Sequence, residues 1–224
     1  MGVRVVIAAY NEEGSIRKVL ADLRKHGYRD VIVVDDGSED RTTELAEAGG
    51  AVVARHIINR GQGAALQTGI AYALRKKADV VVTFDADGQH HAKDIKRLVK
   101  PVVEGKADVA LGSRFLRKTH NASWGRALIL KGGALSFRIL YGIRLTDSHN
   151  GFRALSRKAA QKIKLKSDGM EHASEIVQQI ADHKLRYVEV PVTITYTDYS
   201  KGKGQGNGAA LRIMSKMLLD KLKR

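Results

Sequence analysis

Short, almost continuously apolar runs alternate with amphipathic stretches along the first half of the chain. Val3 to Ala9 is one such run, and residues 31–34 repeat it after a stretch, 15–26, with apolar residues at Ile16, Val19, Leu20 and Leu23. Spacings of three and four place those four on one helical face, while unbroken apolarity marks a strand buried on both sides, so the segment predicts strand, helix, strand. The same alternation predicts helices over about 38–48, 63–77 and 94–104, and strands at 51–54, 79–84 and 108–112. Strands alternating with helices give an α/β fold with a mostly parallel central sheet flanked by helices. Residues 187–196 alternate Val188, Val190, Val192 and Ile194 with polar neighbours, and Pro191 among them predicts an edge or irregular strand rather than a central one. Helical stretches near 123–140, 156–165 and 171–184 end the strict alternation. Glycines at 202, 204, 206 and 208, interleaved with Lys201 and Lys203, predict a mobile basic loop before a final helix over 209–224.

Composition narrows the function more by exclusion than by indication. The 224 residues suit one domain with an appended C-terminal segment. With no cysteine there is no disulfide framework, no thiolate zinc site and no cysteine nucleophile. No apolar run approaches the roughly 18 to 20 residues of a membrane span, and the first residues lack the charged-then-apolar layout of a signal peptide. A cytoplasmic location is expected. The formal charge of +15 leaves a positive surface suited to phosphate, anionic lipid or nucleic acid.

Three acidic or glycine-rich clusters fall where predicted strands end. Asp85 and Asp87 close the strand at 79–84 with carboxylates one residue apart; strand periodicity lets both point the same way. In an open parallel sheet the carboxyl ends of strands border the ligand crevice, and a carboxylate pair there suits a hard cation such as Mg2+ or Mn2+, with Gln89 as a further oxygen. A helix-loop-helix calcium site is a poor fit, because His90 stands where that loop needs glycine. Solvated turn aspartates are the plain alternative. Asp35 and Asp36 end the second strand, placed to accept hydrogen bonds from a base or ribose; alternatively they make a turn before a helix capped by Ser38. Residues 59–63, Asn-Arg-Gly-Gln-Gly, open a helix whose start would attract an anion, but they form neither a Walker loop nor a dinucleotide fingerprint, since Leu66 occupies the third small position.

Taken in order, Ala8-Ala9-Tyr10-Asn11-Glu12, Val34-Asp35-Asp36-Gly37-Ser38, Asn59-Arg60-Gly61-Gln62-Gly63, Asp85-Ala86-Asp87-Gly88-Gln89, Gly112-Ser113-Arg114 and Asp147-Ser148-His149-Asn150-Gly151-Phe152-Arg153 resemble the family 2 glycosyltransferases. Within them the series is most similar to the dolichyl-phosphate mannose synthase and polyprenyl-phosphate sugar transferase group, over roughly the first 155 residues. Ala8 departs from the proline usual at that place. The resemblance implies a single GT-A domain over 1–224: a nucleotide-sugar half over about 1–115, an acceptor half over about 116–200, and the basic loop and amphipathic helix of 201–224. It implies a UDP- or GDP-linked sugar donor contacted by Ala9, Tyr10, Glu12, Asp35, Asp36, Gly61, Asp85 and Arg114. It also implies Mg2+ or Mn2+ at Asp87 with help from Asp85 and Gln89, a covering Lys203, and Asp87, Arg114 and Asp147 in the reaction itself. A cation would reverse the repulsion between two aspartates and a diphosphate, and Arg114 could bond two phosphate oxygens through its planar fork.

Asp147 resembles the acid assigned in some relatives as a catalytic base, which a sugar hydroxyl acceptor needs. A phosphate acceptor, mostly ionised at neutral pH, does not. The expected reaction is inverting transfer to a polyprenyl phosphate at the cytoplasmic membrane face. The rival reading keeps the donor and sends the sugar to a saccharide or glycolipid hydroxyl. Basic residues from Arg117 to Arg144 and the amphipathic 209–224 stretch predict peripheral membrane contact, with room for a separate membrane-protein partner. From another class, a basic nucleic-acid-binding module would explain the charge but not the acidic strand ends, and the chain shows no stacking motif for RNA.

Overall fold

The computed structural model describes residues 2–116, 138–139, 141–147 and 150–195. Strands β1 (Val3–Ala9), β2 (Val31–Asp35), β3 (Val52–Arg55), β4 (Val80–Asp85), β5 (Val109–Ser113), β6 (Arg153–Ser156) and β7 (Tyr187–Pro191) form one sheet in the order β3-β2-β1-β4-β6-β5-β7. Every pairing is parallel except those of β6, which runs antiparallel to β4 and β5. The helices are α1 (Ile16–Lys25), α2 (Thr42–Ala48), α3 (Gln62–Arg75), α4 (Ile95–Val103), α5 (Arg157–Lys162) and α6 (His172–Asp182), with a 3-10 turn at Ala92–Asp94 before α4. The expected α/β class, the parallel core and the edge position of the Pro191 strand are all present.

The sheet is buried on both faces because its central strands have no polar side. Val6, Val34, Val81 and Leu155 pack with Ile70 of α3, Ala159 of α5 and Ile176 of α6, whereas Val5, Ile7 and Val33 turn the other way onto Leu20 of α1 and Leu98 of α4. Alternate side chains of one strand therefore feed two cores. Each fully buried Leu, Ile or Val contributes about 1.5–3 kcal/mol, which fixes strand register against slippage.

Two local expectations change. The second helix begins at Thr42 rather than Ser38, because the Ser38 hydroxyl accepts from the Asn11 amide at 2.9 Å and Asp40 accepts from the Thr42 amide at 2.9 Å. The 156–165 stretch is helical over Arg157–Lys162 and follows directly on a strand: β6 ends at Ser156, whose hydroxyl then caps α5 by accepting from the Ala159 amide at 3.1 Å. At the far edge, Arg186 ties β7 to the start of β5, and its hydrogen bonds hold the Asp108 carboxyl down at about 2. The 123–140 helix, apart from residues 138–139, and the 201–224 loop and helix lie outside the described residues.

Candidate active site

Six of the seven strands run the same way, so β1, β2, β4 and β5 deliver their carboxyl ends to one rim, and β6, running the other way, starts there. At the end of β1, Ala9 is buried and its carbonyl accepts from the Asp36 amide at 2.8 Å, while the Tyr10 ring is exposed. Asn11 adopts a left-handed φ of 53° and pins the β2 loop through its amide on Ser38 and its side-chain oxygen on Glu39. Glu12 turns back onto the start of α1, where it accepts from the Ser15 hydroxyl at 2.6 Å.

Asp35 and Asp36 are both buried, and their carboxylates hold protein groups. Asp35 accepts from the Ser38 amide at 2.9 Å and from the Thr43 hydroxyl. Asp36 accepts from the Gly61 amide at 2.6 Å and the Arg60 amide at 3.0 Å, and lies 2.7 Å from His56 Nδ1. There they join the 37–43 loop and the 56–61 loop. At the start of α3 the Gly63 and Ala64 amides both donate to the Asp168 carbonyl, at 2.7 and 3.2 Å. Gly61, at φ 106°, lets that segment approach: a Cβ there would stand 2.9 Å from the Asp168 carbonyl carbon. The glycines of residues 59–63 thus serve a backbone contact from residues more than a hundred positions away.

At the end of β4 the two aspartates have opposite surroundings. Asp85 accepts from Gln62 Nε2 at 3.3 Å and lies 2.8 Å from His90 Nε2, and it packs on Gly151 so closely that a Cβ there would lie 2.6 Å from Oδ1. Burial by itself would raise its pKa, but His90, Arg153 and His172 outweigh that and hold the carboxyl below its usual range. His90 is fixed in turn by edge-on packing with Phe84 at 5.4 Å and by Phe152 at 4.8 Å. Asp87 shifts the other way: burial and the charge of Asp85 raise its pKa against one hydrogen bond, 2.9 Å, from the Gln89 amide to Oδ1. Its Oδ2 has no hydrogen bond among the described residues. A carboxylate forced to carry its charge beside another, with one oxygen unengaged, fits a hard divalent cation. Among the described residues no three His, Asp or Glu side chains converge, so most ligands of such an ion would come from substrate oxygens and water. Gln89 uses its backbone, donating to Asp87 and accepting from the Thr195 amide at 3.0 Å, and its side-chain amide makes no hydrogen bond among the described residues.

Beyond β5, Arg114 and Asp147 meet. Asp147 Oδ2 accepts from Arg114 Nε at 2.6 Å, from the Arg114 amide at 3.1 Å and from Asn150 Nδ2 at 3.3 Å. The Asp147 side chain is 0% exposed and that of Arg114 11%. The turn is held from beneath by Glu189 of β7, which accepts from the Thr146 amide at 2.8 Å and the Asp147 amide at 3.2 Å; burial raises its pKa, with the Asp147 charge adding to the effect. Gln62, His90 and Arg153 stand in or beside the sequence motifs but, like His172 and Glu189, carry no site role that the sequence patterns assign. The signal for Glu189 was present as a polar residue between Val188 and Val190; the others come together only through the fold. Lys203, Lys201, His149, Arg117, Lys118, Arg126 and Lys131 lie outside the described residues.

His172 begins α6 with its Nδ1 2.9 Å from the Gly169 carbonyl, and burial, reinforced by the Arg153 charge, lowers its pKa from 6.5 to about 4. Unfolding therefore takes up a proton between those values, so stability is complete above about pH 6.5 and declines as pH falls towards 4. At 1.36 kcal/mol per unit the loss is on the order of 2–3 kcal/mol. His172→Gln should remove that part of the slope, which urea titrations of both proteins at pH 7 and pH 4.5 would check.

The geometry has close parallels. The chain is 32% identical to the UDP-N-acetylglucosamine–dolichyl-phosphate N-acetylglucosaminyltransferase of Methanococcus voltae, covering 98% of this chain and 96% of that one. It is 33% identical to the polyprenol monophosphomannose synthase of Mycolicibacterium smegmatis, covering 93% and 82%. The fold matches the structure of glucosyl-3-phosphoglycerate synthase from Mycobacterium tuberculosis in complex with Mn2+ and UDP-glucose, with a TM-score of 0.73 at 20% identity over 98% of this chain and 78% of that one. The architecture is therefore GT-A-like. The nucleic-acid-binding alternative falls away, since the glycosyl transferase family 2 model matches residues 4–164. With the acidic strand ends assembled at one rim of a GT-A-like sheet and that match spanning most of the sequence, the chain belongs to glycosyl transferase family 2 and is a transferase.

Proposed function

We propose that the protein transfers a sugar, with inversion, from a nucleoside-diphosphate sugar to a polyprenyl phosphate, acting as a peripheral protein at the cytoplasmic face of a membrane. The observation that carries this reading is the state of Asp147. Its side chain is closed to solvent and one oxygen orients Arg114 through both the backbone amide and Nε. A carboxylate so engaged is a poor general base, which suits an acceptor oxygen that arrives already ionised; the second pKa of a phosphate monoester is about 6. Arg114, oriented by Asp147, would meet phosphate oxygens. The phosphate oxygen attacks the anomeric carbon, the bond to the nucleoside diphosphate breaks, and that diphosphate leaves with the electron pair.

Asp87 would hold Mg2+ or Mn2+, with Asp85 orienting the turn and Gln89 shaping it. A cation there would neutralise the donor diphosphate and stabilise the charge that grows as it departs. The names of the two relatives, both polyprenyl- or dolichyl-phosphate enzymes, support the acceptor class. Among the described residues no helix is long and apolar enough to cross a membrane, so attachment would fall to basic and amphipathic segments or to a membrane-protein partner.

Transfer to a saccharide or glycolipid hydroxyl is favoured by one feature, the buried Oδ1 of Asp147, which has no hydrogen-bond partner among the described residues. Asp147→Asn separates the readings. For a phosphate acceptor, turnover should fall less than about tenfold, because the amide oxygen can still accept from Arg114; loss of a general base would cost about 10²–10⁴. The direct experiment screens sugar nucleotides with Mg2+ or Mn2+, scoring nucleoside diphosphate release with a short polyprenyl phosphate and with the matching polyprenol. Release that needs the phosphate supports the proposal, and release with the alcohol alone or with neither overturns it.

A further inference from the structure

Among the described strands only β6 runs against its neighbours, and it begins at the rim where β4 and β5 end. Its first residue, Arg153, pairs in register with Thr83 of β4 and Leu111 of β5, two residues before Asp85 and three before Arg114. One reversed strand thus brings Arg153 between the strands that end in the two acidic turns of the rim. Arg153 is 2% exposed, and among the described residues its Nη1 has no hydrogen-bond partner; Asp147 Oδ1, also buried, has none among them either. Burial lowers the guanidinium pKa to about 10, with Asp85 and Asp147 opposing the fall, so the group stays charged at neutral pH. A buried cation without compensation would be costly, and the charges available to offset it are Asp85 and Asp147. His172, on the facing helix, shares the cluster and is neutral above about pH 4.

We propose that Arg153 is a positioning residue, the shared counter-charge of Asp85 on the donor side and Asp147 on the acceptor side, which sets the separation between Asp87 and Arg114. The words donor and acceptor rest on the proposed function; the charge sharing itself does not. Arg153 lies below the rim and acts through the two aspartates without touching substrate. Among the described residues no hydrogen bond or ion pair joins Arg153 to either aspartate, so the link is one of charge across a gap, in contrast to the closed bond between Arg114 and Asp147.

The test is a double-mutant cycle on the metal-free full chain, read as melting temperature, with Arg153→Met, Asp147→Asn and the pair. Arg153→Met is expected to lower Tm by several degrees, since it removes a buried positive charge shared by Asp85 and Asp147, which keep only His90 and Arg114 beside them. Asp147→Asn should lower Tm in the parent and lower it less in the Arg153→Met background, because Arg114 still pairs with Asp147 there and only the share of the loss owed to Arg153 is already gone. A fall of equal size in both backgrounds would show Arg153 to be a space-filler and overturn the proposal. Should Arg153→Met fail to fold, Arg153→Lys and Arg153→Gln replace it: shared charge puts lysine several degrees above glutamine, and the reverse order defeats the idea. In steady state, Arg153→Lys should raise KM for donor and acceptor together, and a rise confined to one would remove the shared role. These melts need no substrate, so failure of the sugar-transfer reading alone would leave the cycle unaffected.

Discussion

Asp87→Asn should reduce nucleoside diphosphate release by about a thousandfold, the scale of losing a main electrostatic stabiliser of a departing group. The argument is the contrast between two aspartates in one turn. Asp85 is engaged by Gln62 and His90 and lies under the influence of Arg153, so its charge is already balanced by the protein. Asp87 has a single amide donor and a like charge beside it, which is unfavourable unless something positive arrives from outside. The same asymmetry gives a second readout that separates lost chemistry from lost fold. Asp87→Asn removes a repulsion, so the metal-free variant should melt at or above the parent temperature, whereas Asp85→Asn deprives Arg153 of a partner and should melt lower. Mn2+ with a nucleoside diphosphate should raise the Tm of the parent and leave Asp87→Asn unmoved. Full turnover and an intact Mn2+ shift in Asp87→Asn would place the cation elsewhere and undo the proposed mechanism.

The elements that position this pair were legible because their signals are local. Val3 to Ala9 is a strand over the limits its apolar run marks, and Ile16, Val19, Leu20 and Leu23 form the buried face of α1. Pro191 at the sheet edge follows from its missing amide hydrogen. The reversed strand β6 was not legible, since four residues, Arg-Ala-Leu-Ser, running into a helix carry no period of their own. Its direction is set by pairing with β4 and β5, which are distant in sequence. The same limit applies to the rim. Acidic residues at strand ends pointed to a site, but Asp36 and Gly61 are engaged by loops, and only the assembled chain shows which carboxylates are engaged within the protein. Arg153 stood in a recognisable motif, yet its burial between two acids depends on strand order.

Gly63→Ala should lower stability by about 3 kcal/mol, or Tm by about 6–12 °C, without altering any side chain of the rim. An added Cβ would fall on the Ser167 carbonyl oxygen and within 3.0 Å of His172 Cβ and 3.1 Å of the Asp168 carbonyl oxygen. Two of these are backbone atoms that cannot rotate away, so the segment itself must lift. Lifting it breaks the bonds from the Gly63 and Ala64 amides to Asp168, each worth about 0.5–1.5 kcal/mol, and leaves the start of α3 without acceptors. The segment leads directly into α6, whose first residue is His172, beside the Arg153 and Asp85 cluster. Turnover should therefore fall at temperatures where the variant is still folded, and hydrogen exchange at the Gly63 and Ala64 amides should rise before the rest of the sheet opens. Unchanged melting together with unchanged protection of those two amides would mean that residues 167–169 do not bear on α3 in solution, and the link from that helix to the rim would be lost.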